Sequence, residues 1–208
     1  RKLDPLQEVA DVIEAMGRKC CVLQADLSDT DAIDTLVDTA LERVGRLDIL
    51  VNNAGMAWAA PTLDYPLAGW DKVFDLNVRS LFYLSQKIAR HMKAQGGGSI
   101  INISSISAWR CAPDEQEPVV AYNASKGAVV SLTRDMAVKL AADNVRVNGI
   151  APGPFLTDMM NHVRHDEDKL SAFESAIPQQ RSGKEDDIKG VVVFLGGPAS
   201  AFITGQTL

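Results

Sequence analysis

Short apolar runs alternate with amphipathic helical periods from one end of the sequence to the other, and this alternation limits the possible folds most. Residues 47–51, 100–103 and 145–150 are short segments rich in Ile, Leu and Val, and long stretches of helical period separate them. Parallel strands need a crossover between them, and a helix supplies it. The order therefore predicts an α/β fold with a largely parallel sheet.

Local signals set the expected boundaries. A first helix opens with Asp4 as cap and Pro5 in its first turn, presents Leu6, Val9, Ile13 and Met16 on one face, and stops at Gly17. A strand is expected over 20–25. Asp29 or Thr30 caps a second helix that turns Ile33, Leu36, Val37, Ala40 and Val44 inward and closes at Gly45. One helix is expected over 70–93 and another over 120–142, with a loop at 104–119 between them. Short helical stretches follow at 155–165 and 169–175, then a helix at 185–195 and the start of a final strand at 205–208.

Composition excludes several classes. With 208 residues, 46% of them hydrophobic and 23% charged, the chain has the make-up of one globular domain over 1–208. The net charge of −6 comes with scattered lysines and arginines, so no nucleic-acid footprint is present. No apolar run approaches the ~20 residues of a membrane helix, and residues 1–5 have no apolar signal core, so no membrane partner and a cytoplasmic location are expected. Cys20, Cys21 and Cys111 form no disulfide framework. His162 and His165 with Asp166 and Asp168 read as a solvated surface, and no metal is expected.

The chemistry begins with Tyr122 and Lys126, four apart on a predicted helix and therefore on one face. A phenol with a pKa near ~10 is a poor acid or base at neutral pH, and a nearby ammonium favours its ionised form. The spacing occurs by chance in many helices. It gains weight from Asp26 after a strand, Asn52-Asn53-Ala54-Gly55 after the next, Asn77 inside a helix, Ser105 after a third strand, and Pro152-Gly153 after a fourth. Taken in order, these residues resemble the short-chain dehydrogenase/reductase family in its compact single-domain form.

The resemblance implies a doubly wound, Rossmann-like parallel sheet between two helix layers, three-layer α/β/α, and an NAD(P)-dependent oxidoreductase that interconverts a carbonyl and a secondary alcohol. Tyr122 would be the general acid/base, Lys126 would lower its pKa and bind ribose, Ser105 would orient the substrate oxygen, and Asn77 would hold a water in a proton relay. Ser104 competes with Ser105, since successive strand side chains face opposite ways, and the family pattern selects Ser105. Residues 112–118 look like an extra acidic, proline-containing segment between Ser105 and Tyr122. Cofactor contacts would come from Asp26 and Leu27 at the adenine, Asn53, Ala54 and Gly55 at a close backbone turn, and Pro152, Gly153, Phe155 and Thr157 near the nicotinamide. Tyr122 and Lys126 complete that set.

One family element is missing from these residues: no Gly-x-x-x-Gly-x-Gly phosphate turn follows a strand. The chain is therefore expected to lack the first strand-helix-strand unit and to stop just short of the C-terminus, with the last strand begun but not completed. If Arg1 follows that unit's second strand, its guanidinium suits a 2′-phosphate, which points to NADP(H) ahead of NAD(H). Trp58, Trp109, Phe155, Met159 and Met160 are candidates for an apolar substrate pocket. Trp58, residues 65–73 and residues 177–183 are similar to the branch that reduces 3-oxoacyl thioesters for rhamnolipid synthesis. A fatty 3-oxoacyl substrate is the first expectation, with a polyol, sugar acid or steroid second. A cofactor-free assembly or regulatory protein that keeps the fold is the rival class. The two long helices resemble those that pair between family subunits, which implies a homodimer or homotetramer.

Overall fold

The computed structural model describes residues 3–157 and 160–208. Arg1 and Met159, both named above, lie outside them, as does the side chain of His162. The described helices are α1 (Asp4–Ala15), α2 (Thr30–Val44), α3 (Leu67–Phe74), α4 (Leu81–Ala94), α5 (Val120–Leu140), α6 (Asn161–Arg164), α7 (Glu167–Ser175) and α8 (Glu185–Gly196). The strands β1 (Ile49–Asn52), β2 (Gly98–Ile103) and β3 (Val145–Ile150) form one parallel sheet in the order β1-β2-β3.

Alternation along β2 builds the three layers. Ile100 faces a core with Ile33 and Val37 of α2, Ile88 and Met92 of α4, and Met136 and Ala137 of α5. Ile101, its neighbour, faces the opposite core with Leu195 of α8. Residues 205–208 run beside β3, where Gly149 N donates to Gln206 O at 2.7 Å and Ala151 N to Leu208 O at 2.7 Å. The expected final strand thus begins where parallel pairing requires it. On α2 the cap is Asp29, whose carboxylate accepts from Asp31 N at 3.0 Å, and Gly45 closes the helix at φ 73°.

Three expectations are corrected. Residues 20–25 form no strand, because they lie outside the ladder of the described sheet, whose strands are β1, β2 and β3. On α1, Leu6, Val9 and Met16 of the predicted face are exposed, Ile13 is half-buried and only Ala10 is buried, so that face is largely uncovered among the described residues. The single helix expected over 70–93 is α3 and α4 joined by a π-helical turn, Asp75–Ser80, centred on Asn77. In addition, the loop at 104–119 contains a 3₁₀ turn, Ile106–Ala108, and of the helical stretches expected at 155–165 the described residues form α6 and, before it, a 3₁₀ residue at Met160.

A buried polar ladder crosses the sheet beneath its carboxyl edge. Asn52 Nδ2 donates to Ser85 Oγ at 2.7 Å and to Asn102 Oδ1 at 2.8 Å, and Asn102 Nδ2 donates to Thr133 Oγ1 at 3.0 Å. These bonds tie β1, β2, α4 and α5 together in a region closed to water. Asn102→Leu strands the Asn52 amide, and an unfolding free energy lower by about 2–4 kcal/mol is expected in urea titration.

Candidate active site

The site lies at the carboxyl ends of the strands, where open parallel sheets bind ligands. After β2 the two serines diverge. Ser104 is buried and its Oγ donates to the Lys126 carbonyl at 2.8 Å, which fixes α5 against the strand end. Ser105 turns the other way and hydrogen-bonds the Tyr122 side chain. The extra segment between them has not parted the pair, because it folds outward and docks on the loop after β1. There Thr62 N donates to Asp114 Oδ2 and Thr62 Oγ1 to Asp114 Oδ1, both at 2.8 Å, and Ala60 N donates to Pro118 O at 2.9 Å.

Lys126 is buried, and its Nζ donates to the Ile103 carbonyl at 2.9 Å while standing 5.4 Å from the Tyr122 ring centroid. Burial pushes its pKa down to about 8. For Tyr122 the net direction is upward. Burial pushes the phenol up, the Ser105 hydrogen bond pulls it down by less, and the Glu117 charge adds to the rise. The ammonium stands over the ring, so the cost of burying a phenolate prevails. Tyr122 is therefore protonated at neutral pH, as a proton donor to a carbonyl must be.

Asn77 is 1% exposed and joins both sides of the cleft. Its Oδ1 accepts from Met56 N and its Nδ2 donates to Met56 O and Ser125 Oγ, each at 2.9 Å. Both amide N–H groups are thereby used within the protein, and the side chain acts as a clamp between the turn after β1 and α5. A Cβ on Gly55 would come within 3.3 Å of Asn77 Oδ1, a tight contact, and 3.5 Å of Lys126 Nζ, so this turn passes close to both side chains. At the end of β3, a Cβ on Gly153 would meet nothing within 4 Å. A buried ammonium with donor capacity, a bare backbone turn beside it and open space at Gly153 fit the ribose and nicotinamide end of a dinucleotide.

The remaining candidates are more dispersed. Asp26 spends Oδ1 on Ser28, accepting from its N at 2.9 Å and its Oγ at 2.7 Å, an Asx turn that holds its carboxyl below the usual range. Leu27 packs on the core, Asn53 and Thr157 are exposed, and Ala54 and Pro152 are half-buried. Phe155 pairs with Gly183 and lines a cavity of about 490 Å³ with Ile177, Pro178 and Arg181. Trp58 packs against Gly69, with Lys72 Nζ 5.2 Å from its ring centroid, and Trp109 is exposed. Sequence reasoning missed Glu117 and the Asn52–Asn102 ladder. An asparagine inside the apolar run 100–103 was the available signal for the ladder.

The fold and the pairing of Ser105, Tyr122 and Lys126 define a nicotinamide-dependent oxidoreductase. The family profile described as enoyl-(acyl carrier protein) reductase matches residues 2–208. The chain is 39% identical over 202 residues to 2-dehydro-3-deoxy-D-gluconate 5-dehydrogenase of Escherichia coli, which covers 97% of this chain and 78% of the relative. To the rhamnolipids biosynthesis 3-oxoacyl-[acyl-carrier-protein] reductase of Pseudomonas aeruginosa it is 36% identical over 212 residues, 100% of this chain and 81% of the relative. The crystal structure of gluconate 5-dehydrogenase from Burkholderia cenocepacia, in complex with NADP and tartrate, superposes with a TM-score of 0.91 at 32% identity, covering 100% of this chain and 80% of that one. The chain belongs to the short-chain dehydrogenase/reductase family and is an NAD(P)-dependent oxidoreductase that interconverts carbonyls and alcohols. Among the described residues no helix is long and apolar enough to cross a membrane.

Proposed function

We propose that this oxidoreductase uses NADP(H) to reduce the ketone of a fatty 3-oxoacyl thioester. The supporting observation is the cavity beside Gly153, where Phe155, Ile177 and Pro178 offer an apolar wall next to the reacting end of the sheet. Ser105 hydrogen-bonds the substrate oxygen and Tyr122 delivers the proton to it. The nicotinamide, when bound, supplies the hydride. Lys126 holds the ribose, Asn53, Ala54 and Gly55 line the backbone turn, and Pro152, Phe155 and Thr157 lie along the nicotinamide. Asp26 and Leu27 meet the adenine. Asn77 holds the turn at Met56, and the π-helical turn around it is the place for a relay water.

A second reading, oxidation of a sugar acid, rests on the 39% identity to the gluconate-type relative. Comparing NADPH consumption with acetoacetyl-N-acetylcysteamine and with a 5-keto sugar acid separates the two. The thioester is expected to be preferred about tenfold or more in kcat/KM, a difference of about 1.4 kcal/mol in transition-state binding, and a reversed preference overturns the first reading. The exposed apolar side chains of α1 are, in this reading, the seat of a strand-helix-strand unit that carries the phosphate turn, all within one domain. Subunit pairing runs through α4 and α5, where Phe82 and Val138 are exposed, giving a homodimer or homotetramer in the cytoplasm.

A further inference from the structure

The segment at 112–118 does more than bridge Ser105 and Tyr122. Asp114 takes both donors of Thr62, and Pro118 is bonded to Ala60, so the segment is held at two points on the loop after β1. Glu117 lies between those anchors. Ser105 Oγ donates to Ser107 Oγ at 3.1 Å, and Ser107 Oγ donates to Glu117 Oε1 at 3.2 Å. A half-buried carboxylate therefore stands two hydrogen bonds from the hydroxyl that meets the substrate oxygen. We propose that Glu117 is a specificity-determining residue that excludes substrates with an anionic group next to the reacting carbon and admits neutral ones.

The physical basis is like-charge repulsion across a cleft of reduced dielectric, where two carboxylates a few ångströms apart interact far more strongly than in water. The rise that Glu117 imposes on Tyr122 shows that its field reaches the catalytic pair. Lys126 donates its Nζ to the Ile103 carbonyl at 2.9 Å and stands beside the turn at Gly55, and no salt bridge to Glu117 is formed among the described residues. A 3-oxoacyl thioester is neutral at the reacting end, whereas a sugar acid carries its carboxylate on the same short carbon chain. The inference rests on the reading of Ser105 and Tyr122 as the reacting pair and deepens it by naming the charge class of the substrate.

The test compares acetoacetate with methyl acetoacetate, which differ in charge beside the same ketone. In the complete protein, Glu117→Gln keeps an oxygen for Ser107 and removes only the charge. It is expected to raise kcat/KM for acetoacetate about tenfold relative to the ester, and the ratio is the readout because any change at Ser105 or Tyr122 is common to both substrates. Binding of butyrate against butyramide to the cofactor-loaded protein, by calorimetry, reads the same ratio without turnover. An unchanged ratio in both measurements overturns the proposal. Failure of the catalytic reading is a different result: methyl acetoacetate would then be reduced equally well by a Tyr122→Phe variant, whatever the charge ratio shows.

Discussion

Tyr122→Phe is expected to lower kcat/KM for carbonyl reduction roughly a thousandfold or more, while NADPH affinity stays within about twofold. The variant removes one hydroxyl and keeps the ring on which the Lys126 ammonium rests, 5.4 Å from its centroid. The fold should therefore be preserved and the proton donor lost. Because burial pushes the phenol up, wild-type reduction is expected to hold through neutral pH and fall only in the alkaline range, and alcohol oxidation to rise with pH. NADPH consumption and fluorescence titration measure the two halves of the prediction. Wild-type turnover in the variant would remove Tyr122 from the chemistry.

Lys126→Met is expected to have two effects of opposite sign. Reduction falls roughly a hundredfold or more, because the ammonium that holds the ribose is gone. Stability at neutral pH rises, because wild-type Lys126 is a buried ammonium whose pKa falls from 10.5 to about 8. Between those values the unfolded chain holds a proton that the folded chain has released, so raising the pH favours the folded state. Below pH 8 the full penalty applies. The group thus adds a rise of about 3 kcal/mol from about pH 8 to 10.5, which the variant lacks. Urea titrations of both proteins at pH 7 and pH 10 test this, since the remaining groups cancel in the difference. Parallel pH profiles would show that Lys126 is not a buried cation.

Much of the site could be read locally. Tyr122 and Lys126 needed only a helical period, which α5 provides over its first turns. Ser105 needed the end of an apolar run and the alternation that sends Ser104 into the core, where it bonds the Lys126 carbonyl. Asn77 was legible as a misfit in a helix. Its clamp on Met56 and Ser125 was not, because both partners are distant in sequence. The segment at 112–118 read as a disturbance between the catalytic residues; in three dimensions it is an anchored arm that brings Glu117 beside them.

By itself the sequence determined the α/β alternation, the cap at Asp29, the stop at Gly45 and the ordered chemistry of Ser105, Tyr122 and Lys126, because periods, caps and short spacings act within a few residues. Tertiary structure decided what depends on burial and on partners far along the chain. Residues 20–25 have strand composition but lie outside the ladder of β1, β2 and β3, and they stay irregular. The Tyr122 phenol is raised rather than lowered, since burial penalises its charge more than a hydrogen bond relieves it. The Asn52–Asn102–Thr133 ladder exists only where β1, β2 and α5 meet out of reach of water.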